Sequence, residues 1–322
     1  MSTSQPGTSD EVEVIDNAAW VQVQPGAVRL SVLIPFYRDD PRRLLAALDL
    51  EADHLNGEVE IVVLDDAGGD VGLSADALEA VEAMRLPARL LRLNRNGGRA
   101  KGRNRLTSHG RARHFLFLDS DMLPDSPDLL ATYLRLIRQD DPAVVFGGFS
   151  VDQAPLAPEH GLHRAMASRA DCLSAEVRGR TPEKYVFTSN LLVRRDVFEV
   201  EAFDESFSGW GWEDVEWGVR VSRRFGVRHI ENTATHLGLD TALALAGKYE
   251  QSAGNFARLA RRHPDIVSTY PSYRLARVLK RAPARGVWRP LLKSLALHAS
   301  APMGARVAAM KLYRAALYAE AL

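Results

Sequence analysis

The chain has 322 residues, 46% of them hydrophobic and 25% charged, which is the composition of an ordinary soluble protein and excludes the disordered class. Basic and acidic residues number 41 each, so no net field argues for a nucleic-acid partner. The single cysteine, Cys172, excludes an intramolecular disulfide and a thiolate-rich metal site; it fits a reducing cytosol and reads as a small buried residue.

Met1 to Gln24 is polar and acidic, with neither a basic start nor an apolar centre, so it is expected to be a loose arm and not a secretory signal. No uninterrupted apolar run is long enough to span a bilayer, which predicts a cytoplasmic protein or one held at the inner face of the cell membrane. Val28 to Ile34 is a β-rich run ended by Pro35. Further strands are predicted at Val59 to Leu64, Leu90 to Leu93 and His114 to Leu118, with helices at Arg42 to Leu50 and Ala75 to Met84 between them. This alternation predicts an α/β fold, a Rossmann-like, mostly parallel sheet flanked by helices. Beyond Asp121 the pattern predicts a helix over Pro127 to Arg138, strands at Ala143 to Phe149 and Tyr185 to Val193, a helix from Glu213 to near Phe225 and a short strand at Val227 to Ile230. From Thr241 the chain is expected to be mostly helical.

Asp119-Ser120-Asp121 leaves the carboxyl end of an apolar strand, where open α/β sheets place their ligands. Two carboxylates there can hold a hard cation and leave positions open for a diphosphate; the plainer reading is an acidic turn. Asp65-Asp66 ends another strand in the same way and suits a ribose or base edge, although Gly68-Gly69 also makes it a good turn. The run from Asn94 to Asn104 is rich in glycine and cations and can wrap a diphosphate with amides and guanidinium groups. Its glycines, at 97, 98 and 102, match neither the dinucleotide fingerprint nor a Walker loop, which disfavours NAD and ATP.

Gly209-Trp210-Gly211-Trp212-Glu213-Asp214 crowds two large aromatics and two adjacent carboxylates between glycines, a composition suited to a sugar face with a base beside it. Acids in a first helical turn are common in any case, and Trp217, further along, reads as core. His236, expected in a loop after the last short strand, is a third metal-ligand candidate, or simply a structural histidine.

Taken in order, these residues resemble the inverting, GT-A-fold glycosyltransferases of family 2, with a second half like the galactosyltransferase and chondroitin-polymerase acceptor domain. The likeness runs from Ser31-Val32-Leu33-Ile34-Pro35-Phe36-Tyr37 through Asp65-Asp66, Gly98 to Asn104, Asp119-Ser120-Asp121 and Phe203-Asp204-Glu205, to Gly209–Asp214 and His236. It implies a nucleoside-diphosphate sugar donor, most often UDP-linked, a manganese or magnesium ion, and a glycan or lipid-linked acceptor of the surface-polysaccharide kind. It places Pro35, Tyr37, Asp65 and Asp66 at the nucleoside and Arg99 or Lys101 near the diphosphate. Asp119, with Ser120, would meet the donor ribose or sugar, and Asp121 and His236 would hold the metal. Asp214 would be the base, Glu213 a ligand of the acceptor hydroxyl, and Trp210 and Trp212 the lining of the sugar site. One departure stands out: the related galactosyltransferases carry glycine where this chain has Trp212.

The implied division is an arm at 1–27, a nucleotide-sugar half at 28–125, an acceptor half at 126–240 and a helical extension at 241–322. In that extension Trp288, Leu291, Leu292, Leu295 and Leu297, then Val307, Met310, Leu312, Tyr313, Leu317 and Tyr318, alternate with lysines and arginines. Such a pattern suits peripheral contact with an anionic membrane, or a helical pair packed on the catalytic domain. A sugar nucleotidyltransferase and a non-catalytic glycan-binding protein on the same fold stay open as alternatives. The first needs a glycine-rich signature near the N-terminus, and Phe36-Tyr37-Arg38-Asp39 is not one.

Overall fold

The structure, a computed structural model, describes residues 12–322. Its centre is an eight-stranded sheet built on buried runs of β-branched and leucine residues. The strands are β1 (Val12–Asp16), β2 (Leu30–Phe36), β3 (Val59–Asp65), β4 (Ala88–Leu93) and β5 (His114–Leu118); beyond β6 (Met122–Pro124) come β7 (Val144–Phe146), β8 (Phe149–Ser150), β9 (Asn190–Arg194), β10 (Arg228–His229) and β11 (Ala234–His236). The order across the large sheet is β1-β4-β3-β2-β5-β9-β7-β10, and β6-β11-β8 form a small second sheet. Strands β4, β3, β2 and β5 run parallel, while β1 and β9 join antiparallel. Strand order reverses at β2, so a crevice opens where β2 and β5 end.

Alternation sets the two faces of the sheet: Leu30, Val32 and Ile34 pack on one side, Leu33 on the other with Phe115, Phe117 and Trp217. A third core joins the helices Ala242–Arg262, Pro271–Lys280 and Met303–Ala321 around Phe256, where the Tyr318 ring stacks at 4.1 Å. Trp210 and Trp212 pack against that third core.

Several elements differ from the sequence pattern for identifiable reasons. The start of the expected arm lies outside the described residues, but from Val12 it is strand β1, paired with β4. Asn17 behind it is buried, its amide donating to the carbonyls of Met84 at 3.0 Å and Leu86 at 2.9 Å. Strand β2 continues through Pro35, because β5 has stopped pairing at Leu33 and a residue without N–H is tolerated once one neighbour has left. The single strand expected over Ala143 to Phe149 is two. Between them stand Gly147, whose Cβ would clash with Tyr133 and Asn190, and Gly148 at φ +89°, and the chain turns there from the large sheet into the small one. Of Tyr185 to Val193, only Asn190 onward is strand, preceded by a 3₁₀ turn at Pro182–Tyr185.

The C-terminal helix also departs from the membrane pattern. Val307, Met310, Tyr313, Leu317 and Tyr318 are buried in the third core, so Met303–Ala321 is a packed helix. No helix among the described residues is long and apolar enough to cross a membrane.

Candidate functional site

Past β5 the chain makes one turn and returns as β6, which pairs with β11 so that His236 lies opposite Met122. That register, and not a loop, brings the imidazole to Asp121: His236 Nε2 stands 3.0 Å from Asp121 Oδ2. The Leu237 N–H donates to the Asp121 carbonyl at 2.9 Å. Gly238 completes the cradle, since a Cβ there would sit 2.1 Å from Asp121 Oδ2. Burial pushes the Asp121 carboxyl up, but the His236 charge and hydrogen bond outweigh it, and the group titrates below its ordinary range. His236 moves the other way: burial lowers it, and Asp121 more than compensates.

Arg103, on the helix Arg99–His109, ties the two acidic motifs together. Its Nη2 donates to Asp119 Oδ1 at 2.8 Å, and its Nη1 lies 3.6 Å from Glu213 Oε1. The next residue does related work, its amide donating to the Phe203 carbonyl and to Glu205 Oε1, both at 2.9 Å, while the Phe203 N–H donates back to Asn104 Oδ1. Two neighbouring residues on one helix therefore fix the strand-end acids and the approach to the tryptophan motif. The sequence offered Arg103-Asn104 as part of a motif but gave no role to Arg103; its spacing one helical turn beyond Arg99 was the available signal.

The helix Glu213–Ser222 begins where Trp212 adopts φ +76°, a conformation that favours glycine. The Trp212 indole donates to the Tyr318 hydroxyl at 3.1 Å and packs 5.0 Å from the Phe256 ring. Trp210 sits edge-on to Tyr249 at 6.1 Å, with the Lys248 ammonium 5.9 Å from its ring. Trp217 is fully buried, as its sequence position suggested. Burial, then the adjacent Glu213 carboxylate, push Asp214 up to about 7 despite Arg103 and Arg99 nearby.

These groups share one cavity of about 720 Å³. Pro35, Tyr37, Asp66, Arg99, Asp119, Ser120, Asp121, Trp210, Trp212, Glu213, Asp214 and His236 all stand in its wall. Asp65 and Lys101 do not. The Asp65 carboxylate instead accepts a hydrogen bond from Ser74 at 2.5 Å, because adjacent strand residues face opposite sides. Asp66 is also engaged: it accepts from the N–H groups of Gly97 at 2.7 Å and Gly98 at 3.1 Å and from the Asn96 amide at 3.0 Å. The glycine-rich run thus directs those two amides at a protein carboxylate, where the sequence had suggested a diphosphate. Arg99, about half exposed, reaches the cavity 4.0 Å from Glu213. Sequence reasoning also passed over Asp39 and Gly238, both in the wall.

Among the described residues, no group of three or more His, Cys, Asp and Glu side chains forms a metal cage. The Asp121–His236 pair nonetheless fits a manganese-type ion in its donor chemistry, a carboxylate and an imidazole in a cradle shaped by Gly238. Cys172 lies outside the cavity wall, and burial pushes its thiol up to about 12, so it is not a ready nucleophile.

Comparison with known proteins agrees with this architecture. The model of the family described as glycosyl transferase family 2 matches residues 31–200, just over half the chain. An uncharacterized glycosyltransferase, YfnE of Bacillus subtilis (strain 168), is 24% identical over 240 residues; the match spans 60% of this chain and 60% of the length of YfnE. Among solved structures, the mannosyltransferase PcManGT from Pyrobaculum calidifontis, in complex with GDP-Man and Mn2+, superposes with a TM-score of 0.57 at 15% identity, covering 94% of this chain and 91% of that one. S. aureus TarS in complex with UDP superposes at 0.51 and 15% identity, covering 89% of each chain. The fold is the GT-A fold.

Arg103→Met should lower stability by about 3 kcal/mol or more, because breaking a buried ion pair leaves its carboxylates without a countercharge. A shift in the urea midpoint at unchanged slope measures it; a loss below about 1 kcal/mol means Arg103 does not hold the two motifs together.

Proposed function

We propose, for a chain that belongs to glycosyl transferase family 2, that the cavity moves a sugar from a nucleoside-diphosphate donor, UDP-linked by first choice, to a hydroxyl of a glycan or lipid-linked acceptor with inversion. The observation that carries this reading is Asp214, a walled-in carboxyl poised near neutrality in the same cavity as the Asp121–His236 pair. A general base works best when its pKa lies close to the working pH.

Asp214 takes the proton of the acceptor hydroxyl as that oxygen forms its bond to the anomeric carbon. The bond from that carbon to the diphosphate breaks on the opposite face, which inverts the centre, and the proton ends on the Asp214 carboxyl. Glu213, held by Arg103, orients the hydroxyl, and Trp210 lines the sugar site. Pro35, Tyr37 and Asp66 border the nucleoside, Asp66 through the loop it fixes; Asp119 and Ser120 lie toward the ribose or sugar, and Arg99 toward the diphosphate. A manganese or magnesium ion on Asp121 and His236, when bound, neutralises charge on the leaving diphosphate.

A second reading concerns the extension. The helices Pro271–Lys280 and Arg285–Leu297 leave Val278, Val287, Leu291 and Leu295 exposed beside an apolar groove of about 340 Å³ lined by Trp288 and Leu292. Exposed Arg277, Lys280 and Arg281 stand nearby in the chain. Apolar side chains among cations complement an anionic lipid surface, and we place peripheral membrane contact there.

Three measurements test these assignments. Asp121→Ala should remove the Mn2+-dependent part of UDP or GDP affinity in calorimetry without unfolding; equal affinity in the variant excludes Asp121 as a ligand. Asp214→Asn should keep nucleotide affinity and slow transfer by about a hundredfold or more. Because Asp214 acts deprotonated and titrates about 7, the parental turnover should rise with pH through that value; an unchanged rate in the variant assigns the base elsewhere. The Leu291→Gln, Leu295→Gln double variant should lose flotation on vesicles containing phosphatidylserine at low salt; if the parent does not float, the membrane reading falls.

A further inference from the structure

The cavity is electrically lopsided. Around the proposed donor end stand Asp39, Asp66, Asp119, Asp121, Glu213 and Asp214, with Arg99, Arg103 and the Lys248–Asp240 ion pair also in the wall. Away from them, where the C-terminal helix and the 3₁₀ turn close the wall, the charged groups are Lys184, Lys311, Arg314 and one acid, Asp171. Among the described residues none of those three cations forms a salt bridge, although most other arginines in the structure do. The three lie close enough to act together on the Asp171 carboxyl, yet burial dominates and raises it above its ordinary range. The local balance is therefore two positive charges or more in a partly enclosed space, which calls for an anion.

The same end holds an unused hydrogen-bond donor. Tyr270 is only 4% exposed, lines the cavity, and among the described residues its hydroxyl has no partner. A buried hydroxyl left unsatisfied is destabilising, so a ligand that supplies the acceptor atom is favoured. The Lys184 ammonium lies 5.0 Å from the Tyr185 ring and 5.9 Å from the Tyr270 ring, and the Arg314 guanidinium 5.0 Å from that of Tyr249. Cations seated on aromatic faces give both a charge and a flat apolar surface, the combination that a charged sugar ring fits.

We infer that this end of the cavity is an anion subsite for the acceptor, and that the acceptor carries a phosphate or carboxylate held by Arg314, Lys184 and Lys311 with the Tyr270 hydroxyl donating. The inference rests on the glycosyl-transfer reading for the word acceptor, but the anion site itself does not. Glucose 6-phosphate, glucuronate and glucose serve as probes, titrated by calorimetry into the protein with and without UDP and Mn2+. Both anions should bind at least tenfold tighter than glucose, and the two arms separate a phosphate from a carboxylate preference. Arg314→Gln, and independently Lys311→Gln at the exposed mouth of the cavity, should erase most of that preference. Arg314→Lys should restore part of it, and UDP affinity should stay as in the parent. Anionic sugars that bind no better than glucose, or a preference that survives both glutamine variants, overturn the subsite. Failure of UDP with Mn2+ to bind the parent while the anions do bind overturns the transfer reading and leaves the subsite standing.

Discussion

The buried Arg103 guanidinium is the constraint on which the rest of the site depends. It is one charge reached from both sides, by Asp119 at the end of β5 and by Glu213 at the start of a helix more than ninety residues later in the chain. Its own side chain is 3% exposed, so the field it exerts is little screened by water. A single cation between two acids sets the separation of the strand-end carboxylates from the tryptophan motif. That separation shapes the cavity that both motifs line.

The opposite wall of that space comes from the helical extension. Trp212 holds φ +76°, a strained conformation for a bulky residue that costs about 1–3 kcal/mol and persists only where surrounding structure over-determines it. Here the surrounding structure is the hydrogen bond to Tyr318 and the contact with Phe256, both supplied from beyond residue 250. The extension is thus continuous with the site, and the aromatic core that stabilises it also carries the Lys311 and Arg314 side chains to the cavity. Burial of the same helix faces therefore builds stability and shapes that part of the cavity at once.

Charge divides the cavity into two ends, and the division follows from its construction. Strand ends deliver Asp66, Asp119 and Asp121 to one place and a helix start adds Glu213 and Asp214, whereas the C-terminal helix and a 3₁₀ turn deliver Lys311, Arg314 and Lys184 to the other. Asp214 stands among the acids, where burial, then Glu213 beside it, push its carboxyl up to about 7. The Asp121–His236 pair shows the opposite balance, two groups that each favour the other's charged form.

Local pattern was enough for the parallel core, since β3 and β5 are runs of buried aliphatic and aromatic residues with acids at their ends, and for the helix that opens at Glu213. The family resemblance was legible for the same reason: the motifs are short, ordered along the chain and set at element ends. What only tertiary structure decided was orientation and pairing. Asp65 and Asp66 are neighbours in sequence, yet the strand alternation sends one toward Ser74 and the other to the cavity wall. The amides of Gly97 and Gly98 look free in sequence but bind Asp66, because two loops meet over the sheet edge. His236 reaches Asp121 through the β6–β11 register, and Arg103 finds Glu213 across the fold; neither pairing has a local signal, because each depends on segments about a hundred residues apart. The amphipathic pattern of the last helix reads equally as membrane-facing or packed, and periodicity cannot choose between them. The third core chose, because burying Tyr313, Leu317 and Tyr318 against Phe256 and its neighbours removes that apolar face from water.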